Sequence, residues 1–404
     1  MKNNRQNYFS QTLSIFLAAI FLLIWTVVPA AAKPSVKNDK LHGGIEIGSK
    51  GVKATALHFT RKGNGYDVKI LSSETINTTI MKVKDNRFTP EGIAETVEAV
   101  RKIYNRMQQE HQISPEHIYV VGSSGLRADN KQDLVREIKK AVGKDLSFLT
   151  VEMEVQLSIV GTIPQQREDE NKPGNERQAA MLIDIGSGNT KGGYQQVASA
   201  PVTGIPREEF VTLGIPYGTV TFTNEAARYR KTEGDLKEFA LDATMLGPKV
   251  LNDPLSKEIA KRPGLAARER LYLTGGIVWA MTTLLYPENR RAFTPLTAED
   301  IERFHYLARS DMNALLNPDL SFITDQSRRL TAQKEIDAVK AAFTPKNLVA
   351  GSEILRAVST EFKLQNKKIW FARFGQFSWI LSYVRGVAEK QLLAAEGSTT
   401  SALK

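Results

Sequence analysis

The segments GIEIGSKGVK (Gly44–Lys53) and LIDIGSGNTK (Leu182–Lys191) decide the fold. Aligned, they share Ile-x-Ile-Gly-Ser and a final Lys, with an acid, Glu46 or Asp184, between the two isoleucines. Each reads as a strand, a glycine-bearing turn and a returning strand, since β-branched residues give way to Gly and then resume. The copies are about 138 positions apart, a domain-scale offset well beyond the roughly 20–50 residues of stacked repeats. One strand-turn-strand unit duplicated at that distance predicts two similar halves facing each other across a cleft.

The surroundings extend this reading. Gly44–Ile47, Val52–Phe59 and, after Gly63-Asn64-Gly65, Tyr66–Leu71 form a three-stranded meander by pattern. Thr89-Pro90 starts a helix whose apolar residues Ile93, Val97, Val100, Tyr104 and Met107 recur in steps of four and three. A strand is expected at Ile118 to Val121, a helix through Leu134, Ile138 and Val142, and a short strand from Phe148 to Val151. The polar run QQREDENKPGNERQ (165–178) is a solvated connector, after which Met181–Ile185, a tight turn and Thr190–Gln195 restart the pattern. Strands alternating with helices after a meander give an α/β layer architecture. The expected organisation is an N-terminal segment at 1–32, a linker at 33–40, a first domain at 41–164, the connector, a second domain at 179–390 with a helical C-terminal part, and a flexible tail at 391–404.

The 404 residues include 54 Lys+Arg against 44 Asp+Glu, a formal charge of +10 that suits a polyanionic ligand or surface. Basic residues are dispersed without interleaved aromatics, so no nucleic-acid partner is expected. There is no cysteine, which excludes disulfides, thiolate metal sites and cysteine nucleophiles. The five histidines, His42, His58, His111, His117 and His305, lack zinc-site spacing. P-loop, nucleophile-elbow and dinucleotide-binding motifs are also missing.

Lys2 and Arg5 precede an apolar stretch that ends Val28-Pro29-Ala30-Ala31-Ala32, the order of features in an export signal. Its length leaves open an uncleaved anchor through residues 8–32. Either way the chain is expected in the periplasm or cell envelope.

In both copies an acid at a strand end precedes a turn whose missing Cβ atoms let main-chain N–H groups approach an oxyanion. Ser49, Ser187, Asn189 and Thr190 add side-chain donors, and Glu46 and Asp184 are oxygen ligands suited to Mg²⁺ or Mn²⁺. Such a set matches phosphate plus a divalent metal.

These motifs, with Val121-Gly122-Ser123-Ser124-Gly125-Leu126-Arg127, Glu154-Val155-Gln156-Leu157-Ser158-Ile159-Val160-Gly161, Tyr272-Leu273-Thr274-Gly275-Gly276 and Val349-Ala350-Gly351-Ser352-Glu353-Ile354-Leu355, resemble the exopolyphosphatase and guanosine pentaphosphate phosphatase family from about Gly43 to about Tyr383. The resemblance implies two ribonuclease H-like domains of the actin-like ATPase superfamily facing an interdomain cleft. It also implies Glu154 as the general base, Arg127 as a phosphate contact and Mg²⁺ (or Mn²⁺) as cofactor. Phosphate binding then falls to Gly48, Ser49, Lys50, Gly186, Ser187, Gly188, Asn189, Thr190, Gly275 and Gly276, and metal binding to Glu46 and Asp184. The expected activity is release of orthophosphate from inorganic polyphosphate by an exported hydrolase. Alternatives within the same fold are a catalytically silent protein binding phosphate, polyphosphate or an envelope partner, a guanosine pentaphosphate phosphatase, and a kinase; a homodimer is also left open.

Several positions depart from the family pattern. Glu46 stands where Asp is usual, Lys50-Gly51 replaces Asn-Ser or Asn-Thr, Ser187 replaces Gly and Asn189 replaces Ser or Thr. Lys191 occupies the place of an acid and reverses the charge beside the second turn.

Overall fold

The computed structural model describes residues 40–62, 65–81, 83–164, 176–197, 208–229 and 234–401. The expected N-terminal signal at 1–32 and nearly all of the linker lie outside them. Among the described residues no helix is long and apolar enough to cross a membrane.

Strand β1 (Leu41–Gly48) pairs antiparallel with β2 (Gly51–Lys62), and β2 with β3 (Gly65–Asn77). The chain crosses back through helix α1 (Pro90–Gln109), whose cap Thr89 accepts the N–H of Gly92. Strand β4 (Ile118–Gly122) then runs parallel beside β1, and after α2 (Lys131–Val142) strand β5 (Leu146–Phe148) lies parallel to β4. The sheet order is β3-β2-β1-β4-β5.

Helix α3 (Val151–Thr162) leads to the second sheet. There β6 (Ala180–Ile185), β7 (Thr190–Val197) and β8 (Glu208–Ile215) form another antiparallel meander, followed by helix α4 (Thr219–Tyr229). Strand β9 (Arg270–Thr274) is parallel to β6 and feeds α5 (Gly276–Leu285). Strand β10 (Phe293–Leu296), helix α6 (Gln326–Ala342) and strand β11 (Lys368–Ala372) follow, in the order β8-β7-β6-β9-β11-β10. Both sheets thus place a hairpin meander on one side and parallel strands joined by helical crossovers on the other, and the second sheet adds β10 as an antiparallel edge strand beside β11. Every residue of β6 is buried, as for a strand covered on both faces.

Some expectations shift. The strand foreseen at Phe148–Val151 ends at Phe148, because Thr150 accepts the N–H of Met153 and caps α3 instead. The connector has residues 165–175 outside the described set, and in its described end Glu176 is buried while Arg177 and Gln178 stay partly exposed. A short helix at Glu176–Ala179 buries Glu176, which accepts from the Tyr272 hydroxyl at 2.9 Å and pairs with Arg270. An acid is tolerated in that position because both partners compensate it.

The last helix differs most. α7 (Ser378–Ser401) extends through most of the stretch expected as a tail, and it packs on the first sheet and α3, not within the second half of the chain. Trp379, Ile380, Val384 and Ala388 join one apolar cluster with Leu57, Phe59 and Val121. Gly44 makes this docking feasible, since a Cβ there would stand 2.6 Å from Val384 Cγ2 and 2.8 Å from Ile380 Cγ1. Because Ile380 is fully buried, Ile380→Ala should cost about 2–5 kcal/mol in urea unfolding. A loss under about 1 kcal/mol would mean that α7 does not hold the first sheet as described.

Candidate active site

A cavity of about 420 Å³ opens between the two sheets. The β1–β2 turn brings Gly48, Ser49 and Lys50 to it, the β6–β7 turn brings Gly186, Ser187, Gly188 and Asn189, and the start of α5 brings Gly275 and Gly276. Glu46, Asp184 and Glu154 reach the same space from β1, β6 and the first turn of α3. The duplicated turns therefore face one another across one hollow.

Strand register fixes the charged groups. Asp184 is the cross-strand partner of Lys191, and Glu46 is that of Lys53, so each copy of the hairpin presents an acid and a lysine side by side. Lys191 Nζ lies 3.0 Å from Asp184 Oδ2 and 2.8 Å from Glu154 Oε1, and it donates to Asn189 Oδ1 at 3.3 Å. Lys53 Nζ is 3.7 Å from Glu46 Oε1 and donates to the Gln376 carbonyl at 3.2 Å. The Lys191 side chain is 3% exposed and that of Lys53 29%, so the second pair is the drier.

Glu154 is further held by the chain after β4. The N–H of Ser124 donates to its Oε2 at 2.8 Å, and the Ser123 hydroxyl donates to both oxygens at 3.2 and 3.3 Å. Burial raises the Glu154 carboxyl, but Lys191 and Ser124 outweigh it and hold the group below its ordinary value. Burial likewise opposes the Lys191 charge, and Asp184 and Glu154 more than restore it. Both are thus charged at neutral pH.

Two other groups are less compensated. Glu46 Oε2 is buried without a hydrogen-bond partner in the structure, and burial pushes the carboxyl up to about 7 against the pull of Lys53. Lys50 Nζ is also buried without such a partner, 3.6 Å from the centre of the Phe343 ring that follows α6, and burial lowers it to about 8. Lys50 is thus a cation presented to the cavity.

Glycine is required at two points of the wall. Gly275 has φ +103°, and a Cβ there would lie 2.2 Å from the Ile185 carbonyl oxygen. Gly188 seats the second turn against the first half of the molecule: its Cβ would meet Ser49 Oγ at 2.2 Å and the Gly125 carbonyl oxygen at 2.4 Å. Asn189 Nδ2 donates to Ser124 Oγ at 3.1 Å beside that contact.

Of the residues expected from sequence, the cavity gathers all but two. Arg127 is exposed and lines a separate hollow of about 150 Å³ with Glu152, Glu258 and Arg262, because the chain turns outward after the buried Leu126. Asn189 borders both hollows. Thr190 is buried away from the cavity and donates its hydroxyl to the Tyr217 carbonyl at 2.8 Å. Sequence reasoning assigned no role to Lys53, Ser123 or Ser124 and noted Lys191 only as a reversed charge. The final Lys common to both repeats was the signal for the lysine pair.

The donor set does not fit a divalent metal. Glu46 and Asp184, expected as its ligands, each face an ammonium, and no group of three or more His, Asp or Glu suited to a metal occurs among the described residues. The charged side chains on the cavity wall are three carboxylates, Glu46, Glu154 and Asp184, and three ammoniums, Lys50, Lys53 and Lys191, which leaves no net negative charge to attract a cation.

Comparison with known proteins agrees with the fold. The model of the Ppx/GppA phosphatase family matches residues 60–243. No curated protein matches the sequence. Among solved structures, the chain is similar to the Aquifex aeolicus PPX-GPPA enzyme, with TM-score 0.53, 16% identity and coverage of 85% of this chain and 99% of the other. It is similar to an exopolyphosphatase from Cytophaga hutchinsonii, with TM-score 0.55, 15% identity and coverage of 86% and 98%. An exopolyphosphatase-like protein gives TM-score 0.59 at 13% identity over 87% and 98%. The fold is accordingly the two-domain, actin-like ATPase architecture.

Glu46 gives the site a pH signature. A carboxyl raised in the folded state contributes stability that is whole below about pH 4.5 and is lost as pH rises through about 7. Urea unfolding at steps across that window should show stability falling with pH more steeply in the native chain than in Glu46→Gln, by about 1.4 kcal/mol for each unit of displaced pKa. Parallel curves for the two proteins would refute it.

Proposed function

We propose that this chain, whose residues 60–243 match the model of the Ppx/GppA phosphatase family, takes the terminal phosphates of inorganic polyphosphate into its cleft and releases orthophosphate. That match supports phosphoanhydride hydrolysis as the reaction class. The observation that carries the finer reading is the convergence, on one cavity, of two glycine turns, the N-terminus of α5 and the buried Lys50 ammonium, with ionised Glu154 on the same wall. Main-chain N–H groups, a helix N-terminus and an ammonium together match phosphate oxygens.

Hydrolysis at such a site is chiefly positioning and charge neutralisation. Water oxygen attacks the terminal phosphorus, the bridging P–O bond breaks, and orthophosphate leaves with a chain one phosphate shorter. Glu154 accepts a hydrogen bond from that water and orients it. Its fixed partners Lys191, Ser123 and Ser124 leave it little freedom to rotate, so the water position is set in advance. No step is routed through a metal. Export belongs to the same proposal: the apolar stretch before Lys33 supports a compartment where a polyanion is a better candidate than guanosine pentaphosphate.

A specific observation favours a second reading, in which the cleft binds phosphates and does not cleave them. Lys191 lies 2.8 Å from Glu154 and holds its carboxyl below the ordinary value, which weakens it as a base. Orthophosphate release from long-chain polyphosphate separates the two. The hydrolase reading expects release that falls by about 10²-fold or more in Glu154→Gln while binding persists. Saturable binding with release no greater than that of the variant establishes the silent reading instead.

A further inference from the structure

We infer that Lys191 is a built-in cation that takes the place of a divalent ion, so that this cleft receives phosphoanhydride oxygens without Mg²⁺ or Mn²⁺. Only the phosphate half of this inference rests on the ligand proposed above. The cation half stands on geometry alone.

An ammonium has three protons, and Lys191 has three acceptors for them: Asp184 Oδ2 at 3.0 Å, Glu154 Oε1 at 2.8 Å and Asn189 Oδ1 at 3.3 Å. The cation is therefore saturated by protein, and the two carboxylate oxygens best placed to share a metal are already shared. Divalent magnesium needs about six oxygens near 2.1 Å in octahedral array. It could bridge Asp184 Oδ2 and Glu154 Oε1 only by displacing the Nζ atom.

Displacement is opposed by the hairpin itself. Lys191 is the cross-strand neighbour of Asp184, and its side chain is 3% exposed, so it has no route to water that keeps its charge solvated. Lys53 stands in the same relation to Glu46 in the other copy, so both carboxylates expected to hold metal have a lysine from their own hairpin. Three ammoniums stand against three carboxylates on the wall, so the cavity has no net negative charge to draw a cation in. Lys50, whose ammonium has no hydrogen-bond partner in the structure, remains as the group that meets the incoming anion.

The test uses the full chain freed of metal with EDTA and then returned to buffer. Mn²⁺ is the probe, read by loss of its free-ion electron paramagnetic resonance signal. The native chain should leave that signal unchanged at the cleft, and Lys191→Ala, which vacates the space between two carboxylates, should take up one equivalent. Because that variant loses a buried charge, its folding is checked by circular dichroism. The native arm decides by itself if the variant does not fold: one equivalent of Mn²⁺ bound by the native chain and lost in Asp184→Asn overturns the inference. A folded Lys191→Ala that gains no Mn²⁺ overturns it equally. Calorimetry with tripolyphosphate in EDTA tests the other half, with the same affinity expected with and without metal; binding that appears only with Mn²⁺ overturns it. If tripolyphosphate binds under neither condition, the ligand proposal fails while the Mn²⁺ result still judges Lys191.

Discussion

The cleft depends on the ammonium of Lys191, which joins three parts of the chain: β6 through Asp184, the turn after it through Asn189, and α3 through Glu154. α3 packs against both the second sheet and α7, while Glu154 is bound to Ser123 and Ser124 at the end of β4. One charge thus links the ends of two sheets. Burying such a group is costly, and its attraction to two carboxylates offsets that cost only while all partners are in place. Taking one away would leave an uncompensated charge in a dry site, at about 3–5 kcal/mol. The arrangement stabilises little by itself. It does penalise every relative placement of the lobes except the one in which all three acceptors converge.

Duplication explains why the charges come in pairs, and packing explains why the pairs differ. Acid and lysine lie opposite one another in both hairpins. In the second copy Glu154 supplies another carboxylate and the lysine sits deep; in the first, Lys53 leans toward a carbonyl near the cavity rim and Glu46 keeps one oxygen without a partner. The same ten-residue unit therefore yields a saturated cation on one wall and a carboxyl near neutrality on the other. A cleft built from two like halves is chemically asymmetric because Glu154 pairs with the lysine of only one hairpin.

What the sequence made legible follows from the range of the interactions involved. The repeats, the first meander, the second hairpin and the glycine turns are local patterns, and they reappear in the sheets; the third strand of the second meander does not show in the sequence. Most of the cavity wall was legible too, because turn chemistry fixes where Gly48, Ser49, Gly186 and Gly188 must lie. Placements that depend on distant partners were not. Glu176 looks solvated until Tyr272 and Arg270 are brought beside it, and Arg127 looks like a phosphate contact until the chain after Leu126 turns away. Lys191 was visible as a charge of the wrong sign. That it meets Asp184 needed only the hairpin register, but that it also meets Glu154 needed the tertiary fold.

The docking of α7 bears on the order in which the molecule assembles. The face of the first sheet carrying Leu57, Phe59 and Val121 is covered by Trp379, Ile380, Val384 and Ala388, more than three hundred positions downstream of Leu57. Contacts of such sequence separation carry a large loop-closure entropy and form late. Until α7 docks, that side of the first sheet presents an apolar surface to water or to other chains. The cover of the first sheet is therefore completed only when α7 has been made, and a chain cut short before Ser378 leaves β1 and β2 without it.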